Sequence, residues 1–322
     1  MATAEQIKSL IRSHFSDQTD RFYAIALQVA AHEAMQGHSA LAHDIREMVD
    51  MEKRKEGPKV ISFPQDLRGL VYTESPEETK NTLVMAEDLL ARINQIILEY
   101  RQQNKLKSHG LNHRRKLLLI GPPGTGKTMT ARVLAKELGI PLNTVQVDRL
   151  VTKFMGETSS KLRQIFELMQ QEHGVYLFDE FDAIGGERSM DNDVGEMRRV
   201  LNSFLQFIEQ DTSDSLIIAA SNNPNLLDQA LFRRFDDVLY YQNPTSEERR
   251  HLIENILGTF KDKNMTWKAI LSESDGLSHA EIDQACRDAI KMAILGDANS
   301  VNSRFLKSAI VNKKDAYKGK RG

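Results

Sequence analysis

The sequence predicts an α/β fold: a parallel sheet covered by helices on both faces, followed by a C-terminal helical bundle and preceded by a small all-helical segment. From residue 117 to about 241, short apolar runs alternate with amphipathic helical stretches, the order that builds parallel strands with crossover helices. A glycine-rich turn at 121–126 separates the first apolar run from the first helical stretch, as a strand-to-helix junction requires. On either side of this region the strand-like runs stop and only helical periodicity remains.

In chain order, residues 1–56 read as helices. Ile7, Leu10 and Ile11 share one face, and Phe22, Ile25, Ala26, Val29 and Ala30 make another. Gly37-His38-Ser39 breaks the chain before Leu41, Ile45, Met48 and Val49. The charged run 52–56 and Gly57-Pro58 form a linker, and residues 57–116 lead into the core through a helix expected around Glu77 to Arg101. Residues 117–243 make the α/β core, with a helix over 196–208 whose Met197, Val200, Leu201, Phe204, Leu205 and Ile208 fall at 3-and-4 spacing. Residues 244–322 are a helical lid and basic tail. Ile282, Ala285, Cys286, Ala289, Ile290, Ala293 and Ile294 mark one amphipathic lid helix, and the tail from Asn312 is expected to fray.

Gly121-Pro122-Pro123-Gly124-Thr125-Gly126-Lys127-Thr128 fits G-x-x-x-x-G-K-[ST], the loop that wraps nucleoside triphosphate phosphates, and makes this a P-loop NTPase core. Glycines leave backbone N–H groups open to one polyphosphate, with the positive end of the next helix, Met129 to Leu138, beneath it. Pro122, Pro123, Gly124, Thr125, Gly126, Lys127, Thr128 and Met129 are the candidate contacts to ATP. Lys127 reaches the β- and γ-phosphates, and the Thr128 hydroxyl completes a Mg²⁺ shell.

Downstream, Val175-Tyr176-Leu177-Phe178 ends in Asp179-Glu180. Asp179 is the second candidate Mg²⁺ ligand and Glu180 the group that polarises the attacking water. Leu216 to Ser221 is another buried strand, which places Asn222 at its carboxyl end, in reach of the γ-phosphate or the lytic water. The plainer alternative is a turn at Asn222-Asn223-Pro224. Arg233 and Arg234 are either surface charges or guanidiniums that neutralise the transition state, and if they point outward they serve a neighbour's ATP. Lys153-Phe154-Met155-Gly156-Glu157 is either a packed loop or an aromatic paddle that grips an extended polypeptide.

Composition narrows the field. Lys+Arg total 43 against 45 Asp+Glu, so no global charge draws the chain to nucleic acid or an anionic membrane. The single Cys286 admits no intramolecular disulfide and sits on an apolar stripe. With no signal-like leader and no apolar run near the ~20 residues of a membrane span, a cytoplasmic location is expected. His32-Glu33 does not continue to a histidine at 36, so H-E-x-x-H fails. His32, His38 and His43 read as solvent-facing, and Arg114-Arg115-Lys116 as a solvated approach to the first core strand.

Together these motifs resemble those of the AAA ATPases, in the branch of membrane-protein extractors, microtubule-severing enzymes and proteasomal unfoldases. The resemblance runs from about residue 62 to 310. Asp66 to Leu70 is similar to the segment near adenine, Gly121 to Thr128 to Walker A, and Phe178-Asp179-Glu180 to Walker B. Ala220-Ser221-Asn222 is similar to sensor 1, Phe154 to Glu157 to the pore loop, and Gly186 to Glu196 falls where a second pore loop would be. Leu227 to Asp236 is similar to the stretch with trans-acting arginine fingers, which by that match are Arg233 and Arg234, and Gly276 to Ile282 to the lid. The resemblance implies an ATP- and Mg²⁺-dependent ring, of six subunits, that remodels or unfolds a protein client, with a separately encoded protease as one conceivable partner. Residues 1–56 depart from the best-known members; in this family N-domains and adaptors choose the client, so this unit is expected to bind a substrate or partner. A nucleotide switch acting without threading, and a nucleic-acid remodeller, are the alternatives.

Overall fold

The computed structural model describes residues 8–9, 13, 19–55, 67, 69–150, 157–182, 194–223 and 229–318. The chain divides into two compact units, residues 1–62 and 63–322. In the first unit, α1 (Thr19–Met35) and α2 (Ser39–Lys55) pack together. The turn between them places Gly37 at φ +88°, a conformation that carries no side-chain penalty in glycine. Tyr23, Ala26 and Val49 form the seam, with Phe22, Leu27 and Ile45 packed on it. Leu41 and Met48 do not join it and are 48% and 56% exposed, because the seam runs through Ala42, Ile45 and Val49. His38 is half-exposed and its Nδ1 lies 2.7 Å from the buried Glu33 carboxylate. Ile7, Leu10 and Ile11 lie outside the described residues.

The second unit holds, among the described residues, one six-stranded sheet in the order β1-β3-β4-β5-β2-β6. The strands are β1 (Val71–Glu74), β2 (Lys116–Ile120), β3 (Leu142–Val145), β4 (Val175–Phe178), β5 (Leu216–Ser221) and β6 (Asp237–Tyr240). All neighbours pair in parallel except β1, which runs antiparallel to β3. The sheet is therefore mixed at one edge. Only Val71 of β1 is buried, and Tyr72 is 62% exposed, so the apolar alternation of a half-buried strand is absent from its sequence.

Strand side chains alternate between two cores, as the pleat requires. Leu118 and Ile120 of β2, Tyr176 and Phe178 of β4, and Ile217 and Ala219 of β5 face α5 (Glu157–Gln171) and α6 (Val194–Gln210). Leu117 and Leu119, Val175 and Leu177, and Ile218 and Ala220 face α3 (Glu87–Arg101) and α4 (Lys127–Leu138). Phe204 of α6 is fully buried, with its ring centroid 4.6 Å from Phe181, 5.1 Å from Phe178 and 5.8 Å from Phe166. Phe204→Ala should cost about 3–5 kcal/mol of stability, read as a lower denaturant midpoint. An unchanged midpoint would remove the aromatic cluster from the account of the core.

The helix expected from Glu77 begins at Glu87. A short 3-10 turn, Lys80–Thr82, precedes it, and the extended residues after that turn send Leu83 into the sheet core and Val84 into the lid. The lid comprises α7 (Ser246–Leu257), α8 (Trp267–Glu273), α9 (His279–Leu295) and α10 (Ser303–Lys318). Capping boxes Thr245/Glu248 and Ser278/Glu281 start α7 and α9. Ile282, Ala285, Cys286, Ala289 and Ala293 are buried, whereas Ile294 is 54% exposed beyond the end of the stripe. The expected fraying at Asn312 is not found: α10 continues to Lys318, its buried Leu306, Ala309 and Ile310 anchoring the polar last turns.

Arg114 and Arg115 are not a solvated approach. Arg114 bridges Glu99 at 2.6 Å and Asp237 at 2.9 Å, and Arg115 pairs with the buried Asp211. The Arg114 guanidinium beside Glu99 pulls that carboxyl down to about 2.

Close by, His113 is buried with neither ring nitrogen partnered among the described residues, and Tyr100 packs between it and His173. Burial pushes both histidines below their ordinary range; nearby Asp214 opposes this, while Lys107 adds to the lowering at both. Their folded-state pKa lies below the unfolded value of about 6.5, so this stability is present above that pH and is lost as pH falls below it. A urea midpoint lower at pH 5.5 than at 7.5 is expected, with the difference reduced in His113→Phe; equal differences in both proteins would clear His113 of this role.

Candidate nucleotide site

The loop 121–126 leaves the carboxyl end of β2 and turns directly into α4, the place where open α/β sheets bind ligands. Gly121 continues the ladder, its N–H donating to Ser221 O at 3.2 Å. A Cβ on Gly121 would stand 2.4 Å from Tyr241 O, so no larger residue fits there. Gly124 has φ +74°, and its own missing Cβ would meet Ser278 Oγ at 2.8 Å. Ala280 N–H donates to Gly124 O at 3.0 Å, which brings the first turn of α9 against the loop. Pro122, Pro123, Gly124, Thr128 and Met129 present an exposed rim, while Thr125 and Lys127 are buried.

Lys127 Nζ donates to Gly121 O at 2.7 Å, Pro122 O at 2.9 Å and Asn222 Oδ1 at 2.8 Å. An ammonium has three donors, so a phosphate must displace at least one of these acceptors. Burial lowers the Lys127 pKa, and the Asp179 and Asp182 carboxylates oppose that shift. Thr128 Oγ1 donates to Asp179 Oδ2 at 2.7 Å. This hydroxyl and carboxylate suit Mg²⁺, which takes few protein oxygens and completes its shell with water and phosphate. Among the described residues there is no cluster of three or more His, Cys, Asp or Glu for an all-protein metal cage.

Glu180 follows at φ +53°, an uncommon backbone conformation for a non-glycine, with its N–H donating to Asp179 Oδ1 at 2.9 Å. Its side chain is exposed and makes no ion pair among the described residues. Phe181 N–H bonds Ala220 O at 2.8 Å, and Asn222 N–H bonds Asp182 Oδ1 at 3.1 Å, so the ends of β4 and β5 are stitched together. Sequence reasoning does not tie Asp182, Tyr241, Ser278 or Ala280 to the loop, although the last two fall in the stretch matched to the lid. The acid repeated at Asp179 and Asp182 is the available signal for the first; the others are linked to the loop only by folding.

Lys127, Thr128, Asp179, Glu180 and Asn222 thus gather at the carboxyl edge. Arg233 and Arg234 do not. They precede β6, whose Asp237–Tyr240 pair in parallel with Leu117–Ile120 of β2. That pairing spans about 10 Å at the usual strand rise, with the arginines at its amino end and the loop beyond its carboxyl end. Arg233 is exposed, and Arg234 is half-buried with Nε 3.5 Å from Glu209. Phe154 of the first pore-loop stretch and residues 186–193 of the second lie outside the described residues.

The model of the ATPase family associated with various cellular activities (AAA) matches residues 117–243. The AAA family ATPase y4kL of Sinorhizobium fredii is 33% identical over 319 residues, 96% of this chain and 95% of that protein. The likeness therefore extends into the first unit. A proteasome-activating nucleotidase of Methanoculleus marisnigri is 30% identical over 77% of this chain and 63% of its own length. The ATP-dependent zinc metalloprotease FtsH 1 of Sphaerobacter thermophilus is 28% identical over 78% of this chain, which spans 40% of that protein.

Proposed function

Because the chain belongs to the AAA family of ATPases, we propose that it hydrolyses ATP to ADP and phosphate in a ring and uses the energy to remodel or unfold a protein. Lys127 binds the β- and γ-phosphates, exchanging a loop carbonyl or Asn222 for phosphate oxygen. Thr128 and Asp179 hold Mg²⁺, which draws charge from the phosphates. Glu180 orients and deprotonates the water, and Asn222, released by Lys127, contacts the γ-phosphate or that water. The neighbour's Arg233, with Arg234 beside it, neutralises the charge that grows on the transferred group.

One observation carries this reading. The arginines sit at the amino edge of the sheet and the phosphate loop at the carboxyl edge, so Arg233 and Arg234 are placed away from their own subunit's loop. The nucleotidase and metalloprotease relatives support protein as the client class, and six is the ring size we favour. A cytoplasmic setting is proposed on the sequence features above; no helix among the described residues is long and apolar enough to cross a membrane.

The test is the steady-state ATPase rate against protein concentration, for the native protein and for Arg233→Ala mixed with Glu180→Gln. Cooperative concentration dependence, with activity restored on mixing, is expected. A flat specific activity without restoration would replace the ring by a monomeric nucleotide switch.

A further inference from the structure

The two residues after the arginines and Phe235 are acids, and the side-chain contacts of both lead back to β2 and its surroundings. Asp236 N–H donates to Lys116 O at 2.8 Å, and its Oδ2 accepts the N–H groups of Arg115 and Lys116, each at 2.9 Å. Asp237, with a side chain only 9% exposed, lies between the Arg92 guanidinium of α3 and Arg114 Nη1, the latter at 2.9 Å from Oδ2. Leu231 and Phe235, on either side of the arginine pair, are buried in the core that the sheet shares with α5 and α6. The turn is therefore pinned on both sides, and Arg233 projects from between the pins.

The charges are ordered as well. Arg92, Arg114 and Arg115 are each matched by a carboxylate, and Arg234 lies beside Glu209. Arg233 is the guanidinium of this turn without an ion pair among the described residues. A cation that must meet a phosphate on another subunit gains from this arrangement, since a misplacement of about 1 Å can cost about 10²-fold in rate.

Resting on the trans-acting reading above, we infer that Asp236 and Asp237 are positioning residues for Arg233. They fix it to the amino end of the strand whose other end becomes the subunit's own phosphate loop. Each subunit then presents its arginine to the neighbour in a register set by β2.

Rings of Asp237→Asn should lose at least about 10-fold in kcat, toward the ~10²-fold of a misplaced group, with KM for ATP and binding of a fluorescent ATP analogue unchanged. Asp236→Ala should act in the same direction, and Asp236→Asn, which keeps an acceptor oxygen, should recover most of the loss. Mixing assigns the defect to one half of the site. Asp237→Asn with Glu180→Gln should regain activity, and Asp237→Asn with Arg233→Ala should not. Glu99→Gln, which removes the other partner of Arg114, controls for stability and should leave kcat near native. Recovery with Arg233→Ala, or a loss of nucleotide binding matching the loss of kcat in both aspartate variants, would overturn the inference. If Arg233→Ala and Glu180→Gln themselves fail to complement, the shared-site reading has failed and the inference falls with it.

Discussion

Arg233→Ala is expected to lower kcat by about 10³- to 10⁵-fold, the range over which an arginine supplied to a phosphoryl transfer acts, while ATP affinity stays within a few-fold. The split follows from geometry: Arg233 lies at the other end of the β2/β6 pair from its own loop, so no contribution to binding in its own subunit is expected. It is exposed and outside the hydrophobic core, so its removal leaves the fold intact. Single-turnover hydrolysis beside a fluorescent-nucleotide titration measures both quantities. An affinity loss as large as the rate loss would place Arg233 in its own subunit's site and end the trans assignment. Arg234→Ala is a less clean probe, because it also removes the contact with Glu209 at the end of α6.

Glu180→Gln should lower kcat by about 10²- to 10⁴-fold, the usual contribution of a positioned general base, and leave the protein holding MgATP. Glutamine keeps the shape and the backbone bond to Asp179, and the Thr128–Asp179 pair proposed to hold Mg²⁺ is untouched. Asp179→Asn should behave differently, with magnesium-dependent nucleotide binding weakened along with turnover. Isothermal titration with MgATP separates the two. Equal loss of binding in both variants would mean that Glu180 is a ligand rather than a base.

Much of this site is legible in the sequence, because its parts lie where short-range pattern fixes position. Apolar strands carry Gly121, Asp179 and Asn222 to one edge of a parallel sheet, and a loop of fixed length delivers Lys127 and Thr128 to the same place. Three features lie beyond that reach. β1 is an edge strand with only Val71 buried, so its sequence shows no period. Leu83 and Val84 look like the continuation of a helix until two separate cores claim them. Asp236 and Asp237 look like surface acids, since their partners Arg92, Arg114 and Arg115 are over a hundred residues earlier. Their meaning is tertiary.

Leu83 and Val84 also mark one of the places where the lid is attached to the sheet. One of these neighbours is rooted in the sheet and the other in the lid. A second crossing runs from Tyr241, in the sheet core, to Pro244, whose carbonyl accepts Arg249 of α7 at 2.9 Å. Two such crossings hang the lid on the sheet as a door is hung on two hinges. The bond from Ala280 to Gly124 is the catch on the free side. A backbone hydrogen bond contributes about 1 kcal/mol net, and Ser278 and Ala280 also pack against Gly124 at this point. The catch ends on Gly124 of the phosphate loop, so the loop backbone and the first turn of α9 are tied directly together.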